Sequence, residues 1–168
     1  KTGDMTPAVI VSTASPYKFA ADVLSAVEGK EAVNGLDAFQ CSEMLEKVTG
    51  VRPGLLHSAP DAPHILCATL GQGPAGSCSP LADALIAQGK LPQAEMIRGK
   101  WECYAITKVD GNLVILGSDK RGTEFGMFEL SRYIGVSPLT YWGDAEPLHQ
   151  DNVTLGDDLC TVSKEPSV

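Results

Sequence analysis

Hydrophobic positions recur along this chain at two periods, and the change from one to the other marks its elements. Ala8 to Ser15 (AVIVSTAS) is a short run rich in β-branched side chains and predicts a strand. Ser15 and Pro16 then supply an N-cap and a first helical residue, and Phe19, Val23, Leu24 and Val27 follow at helical spacing up to Gly29. Residues 36–50 predict a second amphipathic helix, with Leu36, Phe39, Leu45 and Val48 on the inner side and Gly50 at the end. Arg52 to Pro63 carries three prolines and a glycine and reads as a loop. His64 to Leu70 has the composition of a buried strand, Gly71 to Ser79 that of a turn, and Pro80 opens a helix to about Gln88. Trp101–Val109 and Asn112–Leu116 flank Asp110-Gly111, a strong hairpin signal because both turn positions of a type I′ turn need positive φ. Gly122 to Ile134 predicts a further helix, stopped by Gly135 and Pro138, and the polar end of the chain holds one short strand at Asn152–Leu155. Together these elements predict an α+β fold: an antiparallel sheet covered by helices on one side, with an N-terminal strand-helix-helix appendage.

Composition narrows the function. Hydrophobic residues make up 43% of the 168 and charged residues 20%, the balance of a globular domain. Thirteen basic residues against twenty-one acidic give a net charge of −8, which speaks against nucleic acid as a partner, since phosphate neutralisation needs a basic face. No apolar run approaches the roughly 20 residues of a membrane span, so no membrane is expected. The sequence shows no signal peptide but starts at Lys1 without a methionine, as it would if an upstream segment had been removed, so the location is left open and is cytoplasmic only if the chain is expressed as given. Five cysteines, Cys41, Cys67, Cys78, Cys103 and Cys160, are widely spaced and do not combine with His57, His64 or His149 at zinc-ligand spacing. They are expected as free thiols, in keeping with a reducing compartment, and neither a metal nor another cofactor is implied.

The segment richest in chemistry is Gly117–Thr123 (GSDKRGT), between an apolar strand and a helix. Its glycines permit a tight strand-to-helix turn, and Ser118 or Asp119 can cap the helix. Lys120 and Arg121, beside free backbone amides, offer an anion site for a carboxylate or phosphate. The competing reading pairs these cations with Asp119, Glu124 or an acid from another element. Trp101, Tyr141 and Trp142 are candidate platforms for sugar rings, against ordinary packing. Glu102, Asp119, Asp144 and Glu146 are the carboxylates from which a glycosidase pair of acid and nucleophile or base would be drawn. A nucleophile elbow, a Walker A loop and a dinucleotide fingerprint are all absent: Gly71-Gln72-Gly73 runs into Pro74 instead of a helix.

Three words in fixed order, GKWE (99–102), GSDKRGT (117–123) and IGVSP (134–138), resemble the N-terminal ancillary domain of glycoside hydrolase family 115, the xylan α-1,2-glucuronidases. HILCATLG (64–71), LADALIAQGKL (81–91) and EKVTGVRP (46–53) are similar to the first strand, the next helix and the first helix end of the same domain, so the likeness covers roughly 40–155. After IGVSP, Leu139 and Thr140 occupy positions that are usually aromatic in that family. Residues 4–29, with a continuation to 53, resemble instead the C-terminal region of threonine synthase, which implies a chimeric chain. That synthase's cofactor lysine and glycine loop have no match here, so no pyridoxal phosphate chemistry follows. The resemblances imply a segment 1–53, an ancillary α+β domain 54–156 and a tail 157–168. The family 115 catalytic centre lies in a following barrel, so the implied role is a carbohydrate-enzyme ancillary domain. In that role Ser118, Lys120 and Arg121, with Trp101, Tyr141 and Trp142, would hold an acidic oligosaccharide or meet a partner domain. Two alternatives stand beside it. One is a small glycoside hydrolase acting on plant polysaccharide through the carboxylates above. The other is an inactive structural module that forms a homodimer through the strand at 8–15.

Overall fold

A computed structural model describes residues 36–56, 58–71, 79–137, 140, 143 and 145–166, with side chains from residue 41 onward. The strand expected at 8–15 and the helix expected at 16–29 lie outside the described residues. The elements are α1 (Leu36–Thr49), β1 (Ile65–Thr69), α2 (Pro80–Ala87), α3 (Gln93–Ile97), β2 (Tyr104–Val109), β3 (Asn112–Gly117), α4 (Lys120–Tyr133) and β4 (Cys160–Val162). They form the α+β fold expected of the chain, around one four-stranded sheet of order β1-β3-β2-β4.

The hairpin β2–β3 sits at the centre. Asp110 (φ 50°) and Gly111 (φ 79°) both take positive φ, which is what a two-residue turn matching the strand twist demands. The antiparallel register runs from Tyr104 opposite Gly117 to Val109 opposite Asn112. β4 adds antiparallel to β2, with Ala105 opposite Val162 and Thr107 opposite Cys160. β1 joins β3 in parallel, Ile65 opposite Leu113 through Thr69 opposite Gly117, so the sheet is mixed at that edge. The Asn112 side chain marks where β1 begins, its Oδ1 accepting from the His64 N–H at 3.1 Å.

The expected one-sided helical cover is corrected by the structure: helices lie on both faces. Cys41, Met44 and Val48 of α1, Met127 and Leu130 of α4 and its C-cap Ile134 pack with Ile106, Leu113 and Ile115 on one face. On the other, Ala82 of α2 and Ala94 and Ile97 of α3 pack with Ala68, Ala105 and Leu116, and Leu91 with Val109 and Val114 extends that layer. The reason lies in the strand sequence. Leu113, Val114, Ile115 and Leu116 are apolar in succession and all buried, so alternation sends apolar side chains to both sides and both must be covered. Four of the buried residues on the second face, Ala68, Ala82, Ala94 and Ala105, are alanines.

Two further differences concern the C-terminal stretch. Residues 152–155, expected as a strand, have no regular structure. Val153, Leu155 and Leu159 turn inward against the α1/α4 core, while the backbone of this stretch is held by Gln150, whose N–H donates to the Val48 carbonyl and whose Nε2 donates to the Ile134 carbonyl, both at 2.8 Å. The strand comes later, at β4, inside the span assigned to a tail. α3 had no counterpart in the hydrophobic pattern, because five residues give barely one helical turn.

Candidate functional site: the crossing of 101–103 and 117–123

β3 ends at Gly117 and α4 begins at Lys120, so the chain must reverse within Ser118 and Asp119. Asp119 is the N-cap: its Oδ1 accepts from the Gly122 N–H at 2.7 Å, and its Oδ2 accepts from the Glu102 N–H at 2.8 Å. Ser118 Oγ accepts from the Cys103 N–H at 2.9 Å, and the Ser118 N–H donates to the Cys103 carbonyl at 2.8 Å. Two residues of the turn thus fasten the segment 101–103 across the start of the helix.

The glycines are there for contact. A Cβ on Gly122 would fall on the Cys103 carbonyl oxygen, and one on Gly117 would fall on the Thr123 amide and hydroxyl. Thr123 Oγ1 completes the join from the other side, donating to the Asp119 carbonyl at 3.1 Å and lying 2.8 Å from Thr69 Oγ1 on β1. The crossing therefore ties together β1, β2, β3 and α4. It also uses the backbone amides of Ser118, Gly122 and Thr123, three of those expected for an anion, because Thr123 N–H donates to the Asp119 carbonyl.

Glu102 is 6% exposed and holds φ at 52°, a left-handed conformation that costs a non-glycine residue about 1 kcal/mol or more. Its carboxylate Oε1 lies 2.6 Å from Arg121 Nη1. This is the pairing with an acid from another element that the sequence left open. Arg121 is itself exposed, and its Cζ stands 5.8 Å from the Phe125 ring centroid, one helical turn along. Lys120 is exposed beside it and makes no ion pair or hydrogen bond among the described residues. Trp101 is half exposed, and its N–H donates to Glu165 Oε1 at 2.9 Å.

The structure therefore gathers Trp101, Glu102, Ser118, Asp119, Lys120 and Arg121 into one region. Glu146 is exposed on the irregular stretch after residue 145. Asp144, Tyr141 and Trp142 lie outside the described residues. Both oxygens of Asp119 accept backbone N–H bonds, and the Glu102 carboxylate faces a guanidinium. Sequence reasoning missed the strap that closes the region from the C-terminal side. Ser163 Oγ accepts from the Tyr104 N–H at 2.8 Å, and the Ser163 N–H donates to the Tyr104 carbonyl at 2.9 Å. Ser163 and Glu165 sit in a short polar run with no periodicity that could have signalled it.

Among the described residues, no group of three histidine, cysteine or acidic side chains is placed to hold a metal ion. Cys41, Cys67, Cys103 and Cys160 are free thiols, and Cys78 lies outside the described residues. Burial pushes the Cys41 thiol up to about 11 and the Cys67 thiol up to about 12, which keeps both protonated and unreactive at neutral pH.

No family model matches the chain, and no curated protein matches it. The resemblance of residues 4–53 to threonine synthase finds no support in these comparisons. Among solved structures, a family GH115 4-O-methyl-α-glucuronidase with specificity for decorated arabinogalactans is similar at a TM-score of 0.63 and 25% identity. The match covers 79% of this chain and 16% of that enzyme, so the chain is similar to a domain-sized part of a GH115 glucuronidase.

Proposed function

We propose that the chain is a carbohydrate-active-enzyme domain related to the GH115 glucuronidases, with an ancillary role and no glycosidic bond cleavage of its own. The observation that carries this reading is the structural match, which spans most of this chain but only 16% of the neighbouring enzyme. The use of Asp119 as a helix cap and of Glu102 as the counter-ion of Arg121 supports it, because an acid and a nucleophile must both be free to meet the sugar. The surface assigned to an acidic oligosaccharide, or to a neighbouring domain, is that of Trp101, Lys120 and Arg121. Ser118 serves it from below by holding the 101–103 backbone. Arg121 is already neutralised by Glu102, so Lys120 brings the uncompensated charge and Trp101 the apolar face for a sugar ring.

The test uses the full chain with glucuronoxylan oligosaccharides. Released 4-O-methylglucuronic acid is followed by chromatography, and binding by amide and indole shifts in NMR. No release is expected, with shifts at Trp101 and Lys120 that Lys120→Ala weakens. Release that Glu102→Gln or Glu146→Gln abolishes would overturn the ancillary reading. Absence of both release and shifts would remove the acidic sugar as ligand.

A further inference from the structure

The chain contains three asparagines, and Asn152 alone has a hydroxyl residue two positions on, in Asn152-Val153-Thr154. Such a triplet is the acceptor pattern for N-linked glycan transfer, but as a string of letters it says nothing about access. The structure supplies that access. Asn152 and Thr154 are exposed, whereas Val153 between them packs against the α1/α4 core. With Val153 packed inward, the residues on either side of it, Asn152 and Thr154, are both left open to solvent. That is the arrangement in which a transferase can take the amide and the hydroxyl at once. The Asn152 amide makes no hydrogen bond among the described residues, so modification there breaks nothing.

We propose that Asn152 is an N-glycan acceptor in the folded protein. In the transfer, Asn152 Nδ2 forms a bond to the anomeric carbon of a lipid-pyrophosphate-linked oligosaccharide. The carbon–oxygen bond to the pyrophosphate breaks, the lipid pyrophosphate leaves, and the amide proton passes to a base of the transferase. No oxidant or reductant is needed. The glycan would stand on the solvent side of the segment 151–154, beside the exposed Asp151 and Thr154. The proposal stands independently of the sugar-binding reading of the loop 117–123.

The experiment incubates the folded full chain with a purified oligosaccharyltransferase and its lipid-linked donor, and measures intact mass. A peptide of residues 148–158 is the unfolded control. A gain of one glycan mass on the chain is expected, lost in Asn152→Gln and Thr154→Ala and kept in Thr154→Ser. An unmodified chain beside a modified peptide would overturn the proposal by showing that the fold shields the site. An unmodified chain beside an unmodified peptide would overturn it at the level of the sequence. A gain of mass that survives Asn152→Gln would place the acceptor elsewhere.

Discussion

Gly122 is the residue on which the crossing depends most directly. Its missing side chain lets the helix start rest on the Cys103 carbonyl, and a methyl group there has nowhere to go because its neighbour is backbone. Gly122→Ala is expected to cost about 3 kcal/mol, at the upper end of overpacking effects. Gly54→Ala, with nothing within 4 Å, should stay within about 0.5 kcal/mol of the parent chain. Urea denaturation of the two variants side by side checks both values. Asp119→Ala removes a cap worth about 1 kcal/mol and leaves the Glu102 N–H without its acceptor, so a total loss of about 2–3 kcal/mol is expected. Asp119→Asn keeps one side-chain carbonyl oxygen and should fall between the two. If Asp119→Asn and Asp119→Ala prove equally stable to the parent, the cap is not what holds 101–103 in place. Much of this was legible in the sequence: paired glycines around Ser-Asp announce a strand-to-helix turn with a cap. What Gly122 makes room for was not legible, because Cys103 is far from it along the chain.

At the scale of elements, the hairpin and the helices were readable where local chemistry decides. Asp110-Gly111 fixes its turn, Ser79-Pro80 opens α2, and the 3.6-residue spacing of Met127, Leu130 and Ile134 gives α4 its inner face. β4 was not readable. Its three residues have no pattern, and they become a strand only because β2 offers an unpaired edge. A chain ending at Gly156 tests that dependence. It loses the β4 ladder, both Ser163–Tyr104 hydrogen bonds, the Glu165 contact to Trp101 and the 2.8 Å pair of Lys108 with Asp157. At about 1 kcal/mol for each buried or half-buried bond, the shortened chain should be roughly 3 kcal/mol less stable. The amides of Tyr104 and Ile106, which point towards β4, should exchange faster than those of β3. Unchanged exchange at these two positions would show that β4 rests on the sheet without supporting it.

For the whole molecule, the two-faced core explains both what the sequence disclosed and what it concealed. An apolar run such as Leu113–Leu116 announces a buried strand, but whether one face or two are covered depends on helices that arrive from distant parts of the chain. The same core places Cys41 on α1 against one face of the sheet, with Cys67 of β1 packed alongside, and this gives the stability of the protein a pH dependence. In the unfolded chain both thiols titrate near 9.0, whereas in the folded protein burial raises them to about 11 and about 12. Below 9 both states hold their thiol protons, and the contribution to stability is complete. Above 9 the unfolded thiols ionise while the folded ones cannot, so the unfolded state binds fewer protons and stability falls as pH rises towards 11–12. The limiting slope is about 1.4 kcal/mol per thiol for each pH unit. Urea midpoints measured from pH 7 to pH 10.5 should therefore drop steeply beyond pH 9 in the parent chain, and less steeply in a Cys41→Ala/Cys67→Val double variant. Parallel profiles for the two proteins would mean that the buried thiols do not set the alkaline limit.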